Sequence, residues 1–133
     1  MRGGTIPARD LSRTTRAENF DGDAGVRLVD ETKVRGTAVG ATAAGQWISF
    51  ATSALRPGSH TFTARVAKAT AGAGTIQVRL GSPTGRLLGT ATVPSGDDYR
   101  YVSVSAEVAR AAGTHDVYLV FDSALRLADF SLR

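Results

Sequence analysis

From residue 46 onward the chain alternates apolar and polar side chains in short runs, "QWISFA" (46–51), "HTFTARVA" (60–67), "TIQVRL" (75–80), "LLGTATV" (87–93), "YVSVSAEV" (101–108), "HDVYLVF" (115–121) and "ADFSLR" (128–133). Side chains on an extended backbone point to opposite faces in turn, so a period of two predicts strands with one face buried. Turn-forming clusters separate the runs: Arg56-Pro57-Gly58-Ser59, Ala71-Gly72-Ala73-Gly74, Ser82-Pro83-Thr84-Gly85, Pro94-Ser95-Gly96-Asp97-Asp98 and Ala112-Gly113-Thr114. Short strands punctuated at this spacing predict an all-β sandwich or barrel. The one stretch with helical character, "VARAAG" (108–113), is too short to alter that class.

The same parity singles out the chain's only tryptophan. If Ile48 and Phe50 face the core, Trp47 and Ser49 face away from it. Counting likewise sends Phe62, Ala64 and Val66 inward with Thr61, Thr63 and Arg65 outward, and Ile76, Val78 and Leu80 inward with Thr75, Gln77 and Arg79 outward. An outer sheet face would then carry Trp, Gln, Arg, Ser and Thr. A flat ring with hydrogen-bonding neighbours suits a sugar, whose C–H face stacks on the aromatic while its hydroxyls take polar partners. The competing interpretation is that a flanking strand or loop covers Trp47 and makes it ordinary packing.

Composition narrows the functional classes. A length of 133 residues suits one domain, with 42% hydrophobic and 21% charged residues arguing for a folded chain. Residues 1–12 have no periodicity and are expected to be a linker or N-terminal tail of a fragment cut from a longer secreted protein, leaving 13–133 as the module. No apolar run reaches the roughly 20 residues of a membrane-spanning helix, so no membrane partner is expected. The absence of cysteine excludes a disulfide framework and a thiolate metal site, while leaving the compartment open. The net charge of +4 invites nucleic acid, yet the arginines are scattered over turns and strand faces without the basic stripe that phosphate binding needs, and no nucleic-acid partner is expected.

The two histidines, His60 and His115, each stand where a turn hands over to a strand, and are expected to be strand-entry residues. A metal or catalytic role would need a third convergent group. Acidic residues are available for glycoside hydrolysis, but most lie in turn-like segments where Asp serves local backbone hydrogen bonds, so the module is not expected to be an enzyme.

One order of residues carries a family likeness. Ala17-Glu18-Asn19-Phe20, Gly25-Val26, Val39-Gly40, Gly45-Gln46-Trp47-Ile48, Phe62 to Ala67, Ile76 to Leu80, Thr84-Gly85, Ser95-Gly96, Gly113-Thr114-His115 and Tyr118 to Phe121 follow one another from about Arg16 to the C-terminus. In order and spacing the chain resembles carbohydrate-binding module family 6. The resemblance implies a jelly-roll β-sandwich of two antiparallel sheets that binds polysaccharide without cleaving it, attached to a secreted, extracellular glycoside hydrolase and monomeric.

It also implies two binding surfaces. On the concave sheet face the stacking residue is the Trp of the Gly-x-Trp motif, Trp47, the residue singled out by parity, which also places Gln77 and Arg79 outward as candidate polar partners. At the loop end the family sandwiches a sugar between two aromatics and holds hydroxyls with an Asn; here Ala41 takes the first aromatic position, Asp98 the second with Tyr99 beside it, and Arg126 the third. A one-sided site with Tyr99 stacking and Asp98 and Arg126 hydrogen bonding follows, with Arg126 suited to an acidic sugar. Many relatives hold a structural calcium. Glu18 matches one ligand and Asp129 neighbours another, but Arg16 and Ala128 replace two oxygens, so that either calcium is bound or Arg16 pairs with Glu18 or Asp129 in its stead. The rival function is a structural or protein-interaction sandwich that has lost its sugar site.

Overall fold

In a computed structural model the described residues are 9–11, 14–30, 37–55, 61–68, 74–96, 101–109 and 113–133. They form twelve strands: β1 (Arg9–Asp10), β2 (Thr15–Arg16), β3 (Gly22–Ala24), β4 (Arg27–Asp30), β5 (Thr37–Ala41), β6 (Trp47–Leu55), β7 (Thr61–Ala67), β8 (Gly74–Leu80), β9 (Arg86–Val93), β10 (Val102–Glu107), β11 (Gly113–Phe121) and β12 (Leu125–Leu132). A 3-10 turn at Ala17–Asn19 follows β2. The strands make two six-stranded sheets. One runs β1-β6-β11-β8-β9 with β3 also on β6, the other β10-β7-β12-β5-β4 with β2 also on β12. Every pairing is antiparallel except β1 on β6.

The alternating runs fold as their parity requires. Along β8, Ile76 and Val78 are fully buried and Leu80 nearly so, while Thr75, Gln77 and Arg79 stay partly exposed. On β7, Phe62, Ala64 and Val66 are buried between half-exposed Thr61, Thr63 and Arg65. The two sets belong to different sheets, so the expected outer face is in fact two faces, with Gln77 and Arg79 on one and Thr63 and Arg65 on the other. Between the sheets, Phe130 of β12 meets Phe50 of β6 edge-on with ring centres 4.9 Å apart and Phe62 of β7 at 5.9 Å. Burying rings of this size supplies a large part of the apolar area that holds such a sandwich together.

Three features escaped the alternation. The strands within 22–41 are short and lie in a Gly- and Asp-rich stretch, so they carry little period-two signal. The expected tail contributes to the fold: β1 pairs with β6, Leu11 is fully buried, and its carbonyl accepts a hydrogen bond from the Leu132 amide. A bulge between Leu127 and Asp129 breaks parity in β12, turning Ala128 fully inward and Asp129 outward. Of "VARAAG", Val108 and Ala109 are not helical and Gly113 begins β11; residues 110–112 lie outside the described set.

Candidate functional site

The turn at 42–46 aims Trp47. Gly45 has φ of +89°, a left-handed conformation that a side-chain-bearing residue adopts only under strain, and its amide donates to the Phe121 carbonyl. Gln46 closes the turn by accepting from the Thr42 amide at 2.6 Å and donating to Thr42 Oγ1 at 2.9 Å. The chain then enters β6 with Ile48 and Phe50 fully buried, leaving Trp47 half-buried on the opposite face. Neither sequence alternative holds in its extreme form. Trp47 is neither core nor a free plate, because Tyr118 meets it edge-on, with ring centres 5.1 Å apart and planes at 63°.

Strand register assembles the rest. One row across the sheet reads Ala24, Trp47, Val120, Gln77 and Thr90; the next reads Gly22, Ser49, Tyr118, Arg79 and, past a register shift, Leu87. Gly22 belongs to the geometry, since a Cβ there would stand 2.9 Å from Ser49 Oγ and 3.8 Å from the Trp47 ring. Trp47 and Gln77 are two strands apart, roughly 10 Å, a span of disaccharide length.

Arg79 is anchored twice. Its Nε donates to Gln77 Oε1 at 3.0 Å and a terminal nitrogen donates to the Gly85 carbonyl at 2.8 Å. Because the Gln77 oxygen is engaged by an N–H, its amide nitrogen is the free end, offering two donors. Tyr118 is the member of this face that the sequence reading left out. The signal was available: Val117, Leu119 and Phe121 are the inward residues of β11, which places Tyr118 and Val120 outward beside Trp47.

The remaining candidates lie elsewhere. Arg126 is half-buried in β12 between Gly40 of β5 and Ala67 of β7, in the other sheet from Trp47. Ala41, one residue on, is buried and supplies no ring. Asp98 and Tyr99 lie outside the described residues, as does His60, while His115 is half-buried near the start of β11. The structure therefore joins Trp47, Gln77 and Arg79 in one face and separates Arg126 from them.

Glu18 and Asp129 converge on a guanidinium. Arg16 Nε donates to Glu18 Oε1 at 3.3 Å, and Arg16 Nη1 stands 3.7 Å from Asp129 Oδ2. The bulge in β12 brings this about, since it turns Asp129 toward Arg16, its register partner on β2. Calcium takes six to eight oxygens, mostly anionic or carbonyl. No group of three or more His, Cys, Asp or Glu side chains among the described residues could hold a metal, and an arginine stands between the two carboxylates. The Arg16 guanidinium between the two carboxylates opposes a cation at that point.

A groove of about 260 Å³ opens on the second sheet, lined by Thr14, Thr63, Arg65, Ser103, Asp129 and Ser131. The ring in its lining, Phe130, is 1% exposed, and Arg65 lies over the nearby Tyr101 with its guanidinium carbon 5.1 Å from the ring centre. Two turn carboxylates are engaged with backbone: Asp21 accepts from the Ala51 amide at 2.8 Å and Asp122 from the Thr75 amide at 2.6 Å. This is the local role expected of turn Asp residues.

A rigid sandwich presenting an angled aromatic pair beside fixed donors, with turn carboxylates engaged in backbone bonds, defines a binding module of lectin type. Residues 16–133 match the model of carbohydrate binding module (family 6), and the chain belongs to that family. Endo-1,4-beta-xylanase A of Thermoclostridium stercorarium is 38% identical over 127 residues, covering 90% of this chain and 24% of the xylanase. The chain thus spans about a quarter of that relative's length. Among solved structures, a family 6 module from Clostridium stercorarium in complex with cellobiose superposes with a TM-score of 0.86 at 34% identity, covering 96% of this chain and 98% of that one. A family 6 module from Clostridium cellulolyticum in complex with xylose gives 0.88 at 32%, covering 94% and 99%. The chain is a non-catalytic carbohydrate-binding module of the kind that accompanies glycoside hydrolases.

Proposed function

We propose that this module binds a β-linked plant polysaccharide of the xylan or glucan type on the outer face of β6, β11 and β8. The observation that carries this reading is Trp47, held half-buried against Tyr118 with Gln77 and Arg79 two strands away. A pyranose laid against the indole buries its C–H face, and stacking of a planar ligand on an aromatic contributes about 1–3 kcal/mol. Gln77 and Arg79 then supply hydrogen bonds, individually worth about 1 kcal/mol net. Since Arg79 is already held by hydrogen bonds to Gln77 and the Gly85 carbonyl, little ordering cost at these two side chains opposes binding.

The module's place is beside a secreted glycoside hydrolase, where it would act as a monomer that raises the local concentration of polymer at a linked catalytic domain. The xylanase relative, of which this chain matches about a quarter, supports that placement. In place of calcium, Arg16 links Glu18 to Asp129 and ties β2 to β12. Affinity electrophoresis of wild-type and Trp47→Ala protein through gels containing xylan, β-1,4-glucan or β-1,3-glucan tests the reading. Retardation in at least one gel, lost in the variant, is expected. Retardation unaffected by the substitution would move the site elsewhere.

A further inference from the structure

Arg79 has a feature that a neutral sugar does not require. The two central rows of the face contain ten residues, of which Arg79 is the only charged one. Both its hydrogen-bond partners, Gln77 Oε1 and the Gly85 carbonyl, are neutral oxygens, so its positive charge is held in place without being compensated by either. Tyr118 and Leu87 flank it in register, the latter 44% exposed, and their apolar surfaces reduce the water that would screen the charge. Beside it, the Gln77 amide nitrogen presents two further donors. Clustered donors around a fixed cation match a group that accepts, and a planar carboxylate meets a guanidinium with paired hydrogen bonds.

We propose that Arg79, with the Gln77 amide, makes this face select polysaccharide whose neutral backbone carries uronic-acid side groups. The inference rests on the stacking reading above. The neutral backbone sugar lies against Trp47, and the carboxylate of a branch reaches the cation two strands away. The separation of ring and cation is what favours a charged branch on a neutral chain over a uniformly charged chain, which would place carboxylates against the apolar indole as well.

The test changes the ligand first and single side chains second. Titration calorimetry of the whole chain is carried out with glucuronoxylan and with the same polymer after its carboxyl groups are reduced to alcohols, at low and at high salt. Wild-type protein should bind the native polymer about tenfold or more tightly, with the margin shrinking in salt. Arg79→Met should bind both polymers equally, Arg79→Lys should keep part of the preference, and Trp47→Ala should weaken binding to both. Equal wild-type affinity for the two polymers, with both weakened by Trp47→Ala, overturns the role of Arg79 and leaves the face standing. Binding unaltered by Trp47→Ala removes the face and the inference together. A preference that survives Arg79→Met but disappears in Arg126→Met would assign acid recognition to β12 instead.

Discussion

The two sheets of this sandwich share one core but turn very different outer faces to solvent. On the β6–β11–β8 side, an aromatic pair stands beside a glutamine and an arginine whose bonds are to neutral oxygens. On the β7–β12–β10 side there are hydroxyls and compensated charges: Thr63 bonds Ser105 at 3.1 Å, Arg65 covers Tyr101, and Arg16 stands between Glu18 and Asp129. The second face contains a groove of about 260 Å³, yet Thr63 and Arg65 in its lining are already engaged with Ser105 and Tyr101. Concavity alone therefore says little about binding, whereas an available ring with unspent donors does.

The comparison can be broken most severely from between the faces. Phe130 is 1% exposed and touches rings from both sheets, so Phe130→Ala should cost about 3–5 kcal/mol and abolish the function of either face by loss of fold, as read by calorimetric melting and circular dichroism. A variant that melts as wild type would mean the sheets are held together in some other way.

Next in size is the contrast between faces. Trp47→Ala should weaken polysaccharide binding by about 1–3 kcal/mol, or roughly 5- to 150-fold, while lowering stability by only about 1–2 kcal/mol for the lost contact with Tyr118. Arg65→Ala on the opposite sheet should leave affinity unchanged and cost stability about 0.5–1 kcal/mol from the ring it covers. A loss of affinity from Arg65→Ala comparable to that from Trp47→Ala would reverse the assignment of faces.

The smallest effect concerns the metal. A bound ion stabilises a fold by mass action, so a calcium-dependent module loses melting temperature in chelator. Here EDTA should leave melting unchanged within error, and Arg16→Ala should cost about 1 kcal/mol or less, since the pair is partly exposed and screened. A large drop in EDTA, restored by calcium, would show that other oxygens complete a site around Glu18 and Asp129.

Much of the architecture was legible because period-two alternation is a direct consequence of burying one face of a strand. It placed Ile48, Phe50, Phe62, Val66, Ile76 and Val78 in the core without reference to any relative. What it could not supply was which sheet each strand joins, because pairing is non-local; hence Arg65 and Arg79 were first assigned to one surface. Nor does alternation survive a bulge. The extra residue in β12 inverts the faces of Ala128 and Asp129, and with it the apparent loss of an acidic position turns into a contact with Arg16. Of the candidate site, Trp47, Gln77 and Arg79 were found by parity, Tyr118 was overlooked although the same rule points to it, and Arg126 of the loop-end set lies in the other sheet.

The chain's single tryptophan offers a direct measurement of the central claim. Intrinsic fluorescence of the intact protein, followed during titration with the oligosaccharide that binds best in affinity gels, reports on Trp47 alone. If sugars stack there, emission should change saturably, with a midpoint equal to the calorimetric dissociation constant. Calorimetric binding with no change in emission would place the sugar away from Trp47 and contradict the account.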